Sequence, residues 1–437
     1  MALVATIVLA TAGTSAVASA QADEKPAASD IGVTAKEIRV AVVADVDNQL
    51  APALFQGSVA GMEGWAKYVN KNGGVAGRKV VVDFIDSKLS ADEARNAVIN
   101  ACSESFALVG TSALFLNNVD DIEQCVDGDG AVTGLPDIAV VTTEIVQQCS
   151  PTTYGINPPQ ILCDTLDQSP QTYQGNAGRA FYYQKKYGKD LHGAYIFSKD
   201  LKAAENANRS SMTQMQFAGS GIKEDFEGLV GGRSPQTEYT PLVQQLKDNE
   251  SNYAQSGSSF NTTVLLRKEA KLQGLVDPDF IWDCTLQCYD QKLLEQGGAD
   301  VEGQYVSTLF LPFEEKSANE MLANFLKFTE KDKVDGFAIQ AFASGLLFQQ
   351  AVEQAVEAGG VNNVTRAAVF EQLATINDFD AGGMIGVTDV GARETTPCYT
   401  LLQVQNGKFK RVWPKKAGTF DCKPRNRIEV ELDLVSG

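Results

Sequence analysis

The chain has 437 residues, 44% of them apolar, which is enough for two domains with sizeable cores. Its formal net charge of −18 repels phosphate backbones and anionic lipid, so a nucleic-acid partner is excluded. A single histidine, His192, argues against His-based metal sites and His-dependent triads, and neither a metal nor a cofactor is expected.

Residues 1–22, "MALVATIVLATAGTSAVASAQA", are apolar and then small. Ala18-Ser19-Ala20 has the shape of a signal-peptidase site, and Ala20-Gln21-Ala22 is a second. The apolar core is too short and too rich in small residues to span a bilayer comfortably, so the segment reads as a cleaved export signal. The basic residues that usually precede such a core are missing, and no cysteine near the site supports a lipid anchor. Residues 23–35 read as a flexible leader. The expected location is the periplasm or the cell-envelope exterior.

From residue 37 the text falls into units. "EIRVAVVADV" is a continuous apolar run, the signature of a strand buried on both faces. "SVAGMEGWAKYVNK" places Val59, Met62, Trp65, Ala66 and Val69 on one helical face. Asn72-Gly73-Gly74 stops that helix, and "RKVVVDFIDS" is the next strand. Ser90-Ala91-Asp92-Glu93 is a capping box opening a second helix. "FALVGTSA" and "DIAVVTTE" are predicted as strands three and four. Alternating strands and helices imply a parallel sheet covered on both faces.

The pattern pauses near "TYGINPP" (153–159) and restarts. "NAGRAFYYQKKYG", "NANRSSMTQMQFAGSG", "YTPLVQQLKDNE" and "NTTVLLRKEAKLQGL" read as helices; "GAYIFSKD", "IKEDFEGL" and "PDFIWDC" read as strands. "GQYVSTLFLPF" is extended, and the long helix from Phe337 carries too many glutamines to span a membrane. "CYTLLQVQNGKFKRVWP" is a hairpin turning at Asn406-Gly407. The fold class is therefore α/β: two Rossmann-like lobes with parallel sheets, joined by several extended crossings. Ligands of such sheets bind beyond the carboxyl ends of the strands, so two facing lobes make a cleft that closes by a hinge.

There are eight cysteines, at 102, 125, 149, 163, 284, 288, 398 and 422. An even count behind an export signal reads as disulfides. Pairing Cys102 with Cys125, Cys149 with Cys163, Cys284 with Cys288 and Cys398 with Cys422 closes the shortest loops, and the other connectivities stay open. "CTLQC" has one residue too many for a Cys-x-x-Cys redox motif.

The stretch "IRVAVVADV … GMEGWAKYVNKNGGVAGRKVVVDFIDSK" resembles the start of type I periplasmic binding proteins, above all the leucine/isoleucine/valine-binding group that feeds ABC importers. "ALVGTSA", "GSSFNTTVLLRKEAKLQGL" and the helix from Phe337 resemble later blocks of the same family, so the likeness covers most of residues 35–415. It implies one lobe from 36–156 plus 306–385 and a second from 157–305 plus 386–437. It also implies a monomer that captures a small polar metabolite and presents it to an ABC permease complex.

Family position implies the contacts. After strand one the matching segment is Asp45 to Gly57. After strand three it is Thr111, Ser112, Ala113 and Phe115, where leucine-binding members carry a run of serines for the ligand carboxylate. This chain turns apolar there, a departure from a simple α-amino-acid site. Thr143 and Glu144 follow strand four. Phe260 matches an aromatic lid, Asp283 and Thr285 fall near an ammonium-pairing acid, and Lys202 lies near another cleft loop. Each also has a plain alternative as a cap, turn, packing or solvated residue. No H-E-x-x-H, G-x-S-x-G or P-loop lysine motif is present, so an enzyme is not expected. An exported sensor domain serving a receptor is the alternative function.

Overall fold

The computed structural model describes residues 24–434 except 50, 189, 201, 220 and 258, so the expected export signal lies outside the described residues. Strand β1 (Glu37–Ala44) is buried without interruption from Val40 onward, as a central parallel strand must be. It pairs in parallel with β2 (Lys79–Asp86) and β3 (Ala107–Val109), and β3 pairs with β4 (Asp137–Ile138), giving the order β2-β1-β3-β4. Helices α1 (Gln56–Lys71) and α2 (Ala91–Glu104) make the first crossovers, and α3 (Asp120–Glu123) and α4 (Ile145–Cys149) are short turns.

β3 and β4 are shorter than the sequence predicts. Gly110 takes φ 82°, which takes the chain out of β geometry and ends β3 at Val109. Beyond it only isolated bridges remain, from Ser112 to Ala44 and Val141.

A second parallel sheet follows, with β6 (His192–Ser198), β7 (Lys223–Val230), β8 (Tyr253–Ser256) and β9 (Ile281–Cys284) in the order β7-β6-β8-β9. Helices α5 (Gly178–Tyr187), α6 (Lys202–Phe217), α7 (Thr240–Asp248), α8 (Phe260–Leu272) and α9 (Gln291–Gly297) belong to this half. Two antiparallel ribbons complete the strands. β5 (Gln171–Asn176) pairs with β13 (Arg427–Leu432), and β10 (Tyr305–Thr308) pairs with β11 (Thr400–Val404), which pairs with β12 (Phe409–Trp413). Strands β5, β8 and β13 were not expected from sequence: "QTYQGN" and "YAQS" have little apolar signal, and "RIEVEL" alternates but lies beyond the last segment read as an element. Helices α10 (Glu320–Phe328), α11 (Gly336–Gly359) and α12 (Arg366–Leu373) return to the first sheet. Among the described residues no helix is long and apolar enough to cross a membrane.

Two sequence features explain how α11 is seated. The glycines Gly57, Gly61 and Gly64 of α1 recur at helical spacing and face α11 and the Thr329 turn. A carbon added at Gly61 would lie 2.1 Å from the Ala338 carbonyl oxygen, and one at Gly57 2.0 Å from Asp335 Oδ1. Absence of side chains lets the two backbones touch, and Trp65 closes the seam against Gly345 and Phe348. The second feature is the "NGGVAGRK" turn. Gly74 (φ 81°) returns the chain so closely that its added carbon would lie 2.0 Å from the Arg78 carbonyl. The buried Arg78 guanidinium then donates to the carbonyls of Thr34, Ala27 and Val361 and to Asn362 Oδ1. It thereby pins the leader, the entry to β1 and the exit of α11 together.

Four disulfides, Cys102–Cys125, Cys149–Cys163, Cys284–Cys288 and Cys398–Cys422, each join cysteines adjacent in the sequence.

Helix α11 starts at Asp335, whose carboxylate accepts from the amides of Phe337 (2.9 Å) and Ala338 (2.8 Å). Burial pushes its pKa up to about 6, although those amides pull it down. Because the native state holds this proton more tightly than an unfolded chain, ionisation opposes folding. This contribution to stability is present below about pH 4 and is lost as pH rises through about 6. Thermal melts at about pH 7 and pH 5 should therefore show a gain on acidification that Asp335→Asn, which retains a cap, reduces. Gly61→Val should lower stability by about 3 kcal/mol in urea titration, because the clash is with backbone.

Candidate functional site

A cleft of about 340 Å³ opens where the carboxyl ends of the two parallel sheets converge. From the first half, Val140 to Thr143 enter just beyond β4, and Phe337 and Gln340 enter from the first turns of α11. From the second half come Arg179 of α5, Asn208 and Ser211 of α6, Gln255 of β8, and Thr285 to Gln287 beyond β9. The crossings supply Asn157, Gln160, the Gln174–Asn176 end of β5 and the Ser307–Leu309 exit of β10. The volume is at the lower end of the range for small-molecule sites.

Among the residues expected from sequence, Thr143 and Thr285 line this cleft. Thr143 Oγ1 donates to the Leu114 carbonyl at 2.9 Å, and Thr285 Oγ1 donates to Gln287 Oε1 at 2.5 Å. The strand-three crest does not reach the cleft, because its polar groups are spent internally. Thr111 is buried and donates to Asp137 Oδ1 at 2.6 Å. Ser112 Oγ lies 2.8 Å from Ser58 Oγ, and Ala113 sits in the core beside Leu116. Phe115 is half-buried and outside the lining. The buried Asp45 carboxylate ties this crest to strand one, accepting from Ser87 Oγ and the amides of Leu89 and Leu114.

Glu144 precedes α4 outside the lining, and its partial burial raises its carboxyl pKa. Lys202 is exposed at the start of α6, 3.6 Å from Glu205. Phe260 packs against the main apolar core, which includes Val264, Cys284 and Cys288.

Asp283 is fully buried behind the cleft wall, and its partners are already chosen. Arg179 Nε donates to Oδ2 at 2.8 Å, Tyr253 Oη to Oδ2 at 2.8 Å, and Tyr183 Oη to Oδ1 at 2.7 Å. Three donors engage both of its oxygens and it lies outside the lining, so it does not face a ligand ammonium. Burial alone would lower the Arg179 pKa, but the Asp283 charge and hydrogen bond together with the Tyr253 and Tyr183 phenols more than offset it, and the net shift is upward. Burial likewise raises both phenols well above their ordinary value, so they remain donors. Arg179 therefore stays cationic with its Nε committed, while Nη2 reaches only Ser211 Oγ at 3.5 Å. Among the described residues it is the one charged side chain in the lining.

Sequence reasoning missed Arg179, Gln255, Gln287, Gln340 and Phe337. A signal for Arg179 was available. A cation in the first turn of a helix opposes the helix dipole, so "GRAFYY" is a placement that local stability does not favour. Gly178 beside it is explained by crowding, because an added carbon there would meet the Tyr399 ring at 2.3 Å. The carboxamides carried no signal, since glutamine is common on exposed helices and strands.

Asp283→Leu should destabilise the protein by about 4 kcal/mol in denaturant melts, because it leaves the Arg179 charge buried without a counter-ion.

No curated protein sequence matches the chain. Solved structures share its fold at low identity. A fatty acid ABC transporter substrate-binding protein from Thermomonospora curvata superposes with a TM-score of 0.65 at 14% identity, covering 91% of this chain and 95% of that one. A leucine-binding protein from Thermotoga maritima gives 0.63 at 15% identity, covering 86% and 97%. A branched-chain amino acid transporter substrate-binding protein from Streptococcus pneumoniae, in complex with isoleucine, gives 0.63 at 14% identity, covering 86% and 98%. The sequence profile described as periplasmic binding protein matches residues 37–408, most of the length. The chain belongs to the periplasmic binding protein family.

Proposed function

We propose that this protein is the extracytoplasmic solute-binding component of an ABC importer. A small polar metabolite enters the cleft and is gripped from both halves, residues 36–156 plus 306–385 on one side and 157–305 plus 386–437 on the other. The halves close about the crossing strands. Closure is favoured only to the extent that the ligand binds the closed state better than the open one, so contacts must come from both walls. The closed surface is then read by a membrane permease complex, and the solute leaves chemically unchanged. The protein acts as an exported monomer.

The observation that carries this reading is the two-sided lining. Thr142, Thr143 and Gln340 face the cleft from the first half, and Arg179, Thr285 and Gln287 from the second. Polar groups on opposite walls, with Phe337 and Leu286 between them, suit a ligand that bridges the halves. Family membership supports a carrier over a catalyst, and the structural relatives described as ABC transporter substrate-binding proteins support an importer as the partner.

The test is a thermal-shift screen of the mature protein against small metabolites, followed by X-ray scattering of each hit. A true ligand should raise Tm by several degrees and reduce the radius of gyration. A solute that is converted to product would overturn the carrier reading, and one that binds without compaction would overturn hinge closure.

A further inference from the structure

Resting on the solute-binding reading, we infer that the cleft selects a small carboxylate anion without an ammonium group, of the hydroxy-acid or keto-acid class, held by the forked end of Arg179. Arg179 lines the cleft although only 5% exposed, commits Nε to Asp283, and directs Nη2 toward Ser211 of the same lining, while Nη1 has no partner among the described residues. A forked guanidinium pairs a carboxylate through two parallel bonds, the geometry that a point cation cannot supply.

The carboxamides extend the same polarity. Gln340 Oε1 accepts from Asn157 Nδ2 at 3.2 Å, and Gln287 Oε1 accepts from Thr285 Oγ1 at 2.5 Å. The Nε2 groups of Gln340 and Gln287 have no partner among the described residues, although both side chains line the cleft. These two carboxamides therefore present donors while their own acceptors are occupied, which fits a ligand rich in carbonyl and carboxylate oxygens. The Thr143 hydroxyl has given its proton to Leu114 and keeps an oxygen to accept from a ligand hydroxyl.

An α-amino acid would bring an ammonium group that needs an acceptor of negative charge. Among the described residues the lining contains no carboxylate, and the buried Asp283 carboxylate behind it is engaged by three internal donors. A desolvated ammonium without such a partner is costly. The skeleton of the acid has apolar room against Phe337, Leu286, Leu309 and Val140.

The experiment is calorimetry on the mature protein with matched sets of short aliphatic and aromatic α-keto acids, α-hydroxy acids, their primary amides and the corresponding α-amino acids. At least one acid should bind, and its amide and amino-acid counterparts should bind about tenfold or more weakly. The paired substitution Arg179→Gln/Asp283→Asn removes both charges while keeping a hydrogen-bonding pair, and should weaken the acid at least about tenfold with circular dichroism unchanged. Gln340→Glu, which leaves the buried pair intact, should do the same by setting a negative charge opposite the anion, and it serves if the double variant does not fold. If an amide or amino acid binds as tightly as its acid, or both variants keep full affinity for the acid, the anion inference is wrong and the solute-binding reading stands. If no compound of the set binds, the anion inference is overturned, while the solute-binding reading falls only if the wider thermal-shift screen is also blank.

Discussion

Asp283 must be neutralised where it stands, and much of the cleft follows from how that is done. A carboxylate at the end of a buried strand is tolerated only when donors surround it. Here three donors come from two elements, Tyr253 from β8 and Tyr183 and Arg179 from α5, converging on the carboxyl end of β9. Their convergence locks α5 against the carboxyl end of the second sheet. Nε meets Asp283, and Nη2 points toward Ser211 of the cleft lining. A residue that satisfies an internal charge is thus also the cation that the cleft presents.

The opposite wall depends on steric closeness instead of charge. Gly57 and Gly61 bring α11 onto α1, and Phe337 is fixed edge-on to Phe55 with ring centroids 4.9 Å apart. Gln340 sits one turn further along and meets Asn157 from the crossing segment. One wall is set by paired charges, the other by absent side chains. Each is a rigid support for a few unspent hydrogen-bonding groups, and this is what lets a small ligand be read by position.

How much of this was legible follows from the range of the interactions. The buried runs of β1 and β6, the "NGGVAGRK" turn and the Asn406-Gly407 hairpin are local patterns, and they could be read directly. The family was legible from the same blocks. The site was less so. Thr143 and Thr285 lie beside strand ends, where topology alone points. Thr111 and Ser112 also follow a strand end, but Asp137 and Ser58, distant in sequence, claim their hydroxyls. Asp283 was recognised as an important acid, yet its role was assigned to a ligand, because nothing near it in sequence announces Arg179 or Tyr183. Which polar groups remain unspent is a property of contacts across about a hundred residues, and no local pattern encodes it.

The segment Thr285-Leu286-Gln287 lies within the small ring that the Cys284–Cys288 bond closes. In a reducing cytosol that ring opens, and the loop bearing Gln287 loses its only covalent brace beside the cleft. The placement of Gln287 at the cleft thus depends on a sulfur–sulfur bond as well as on packing.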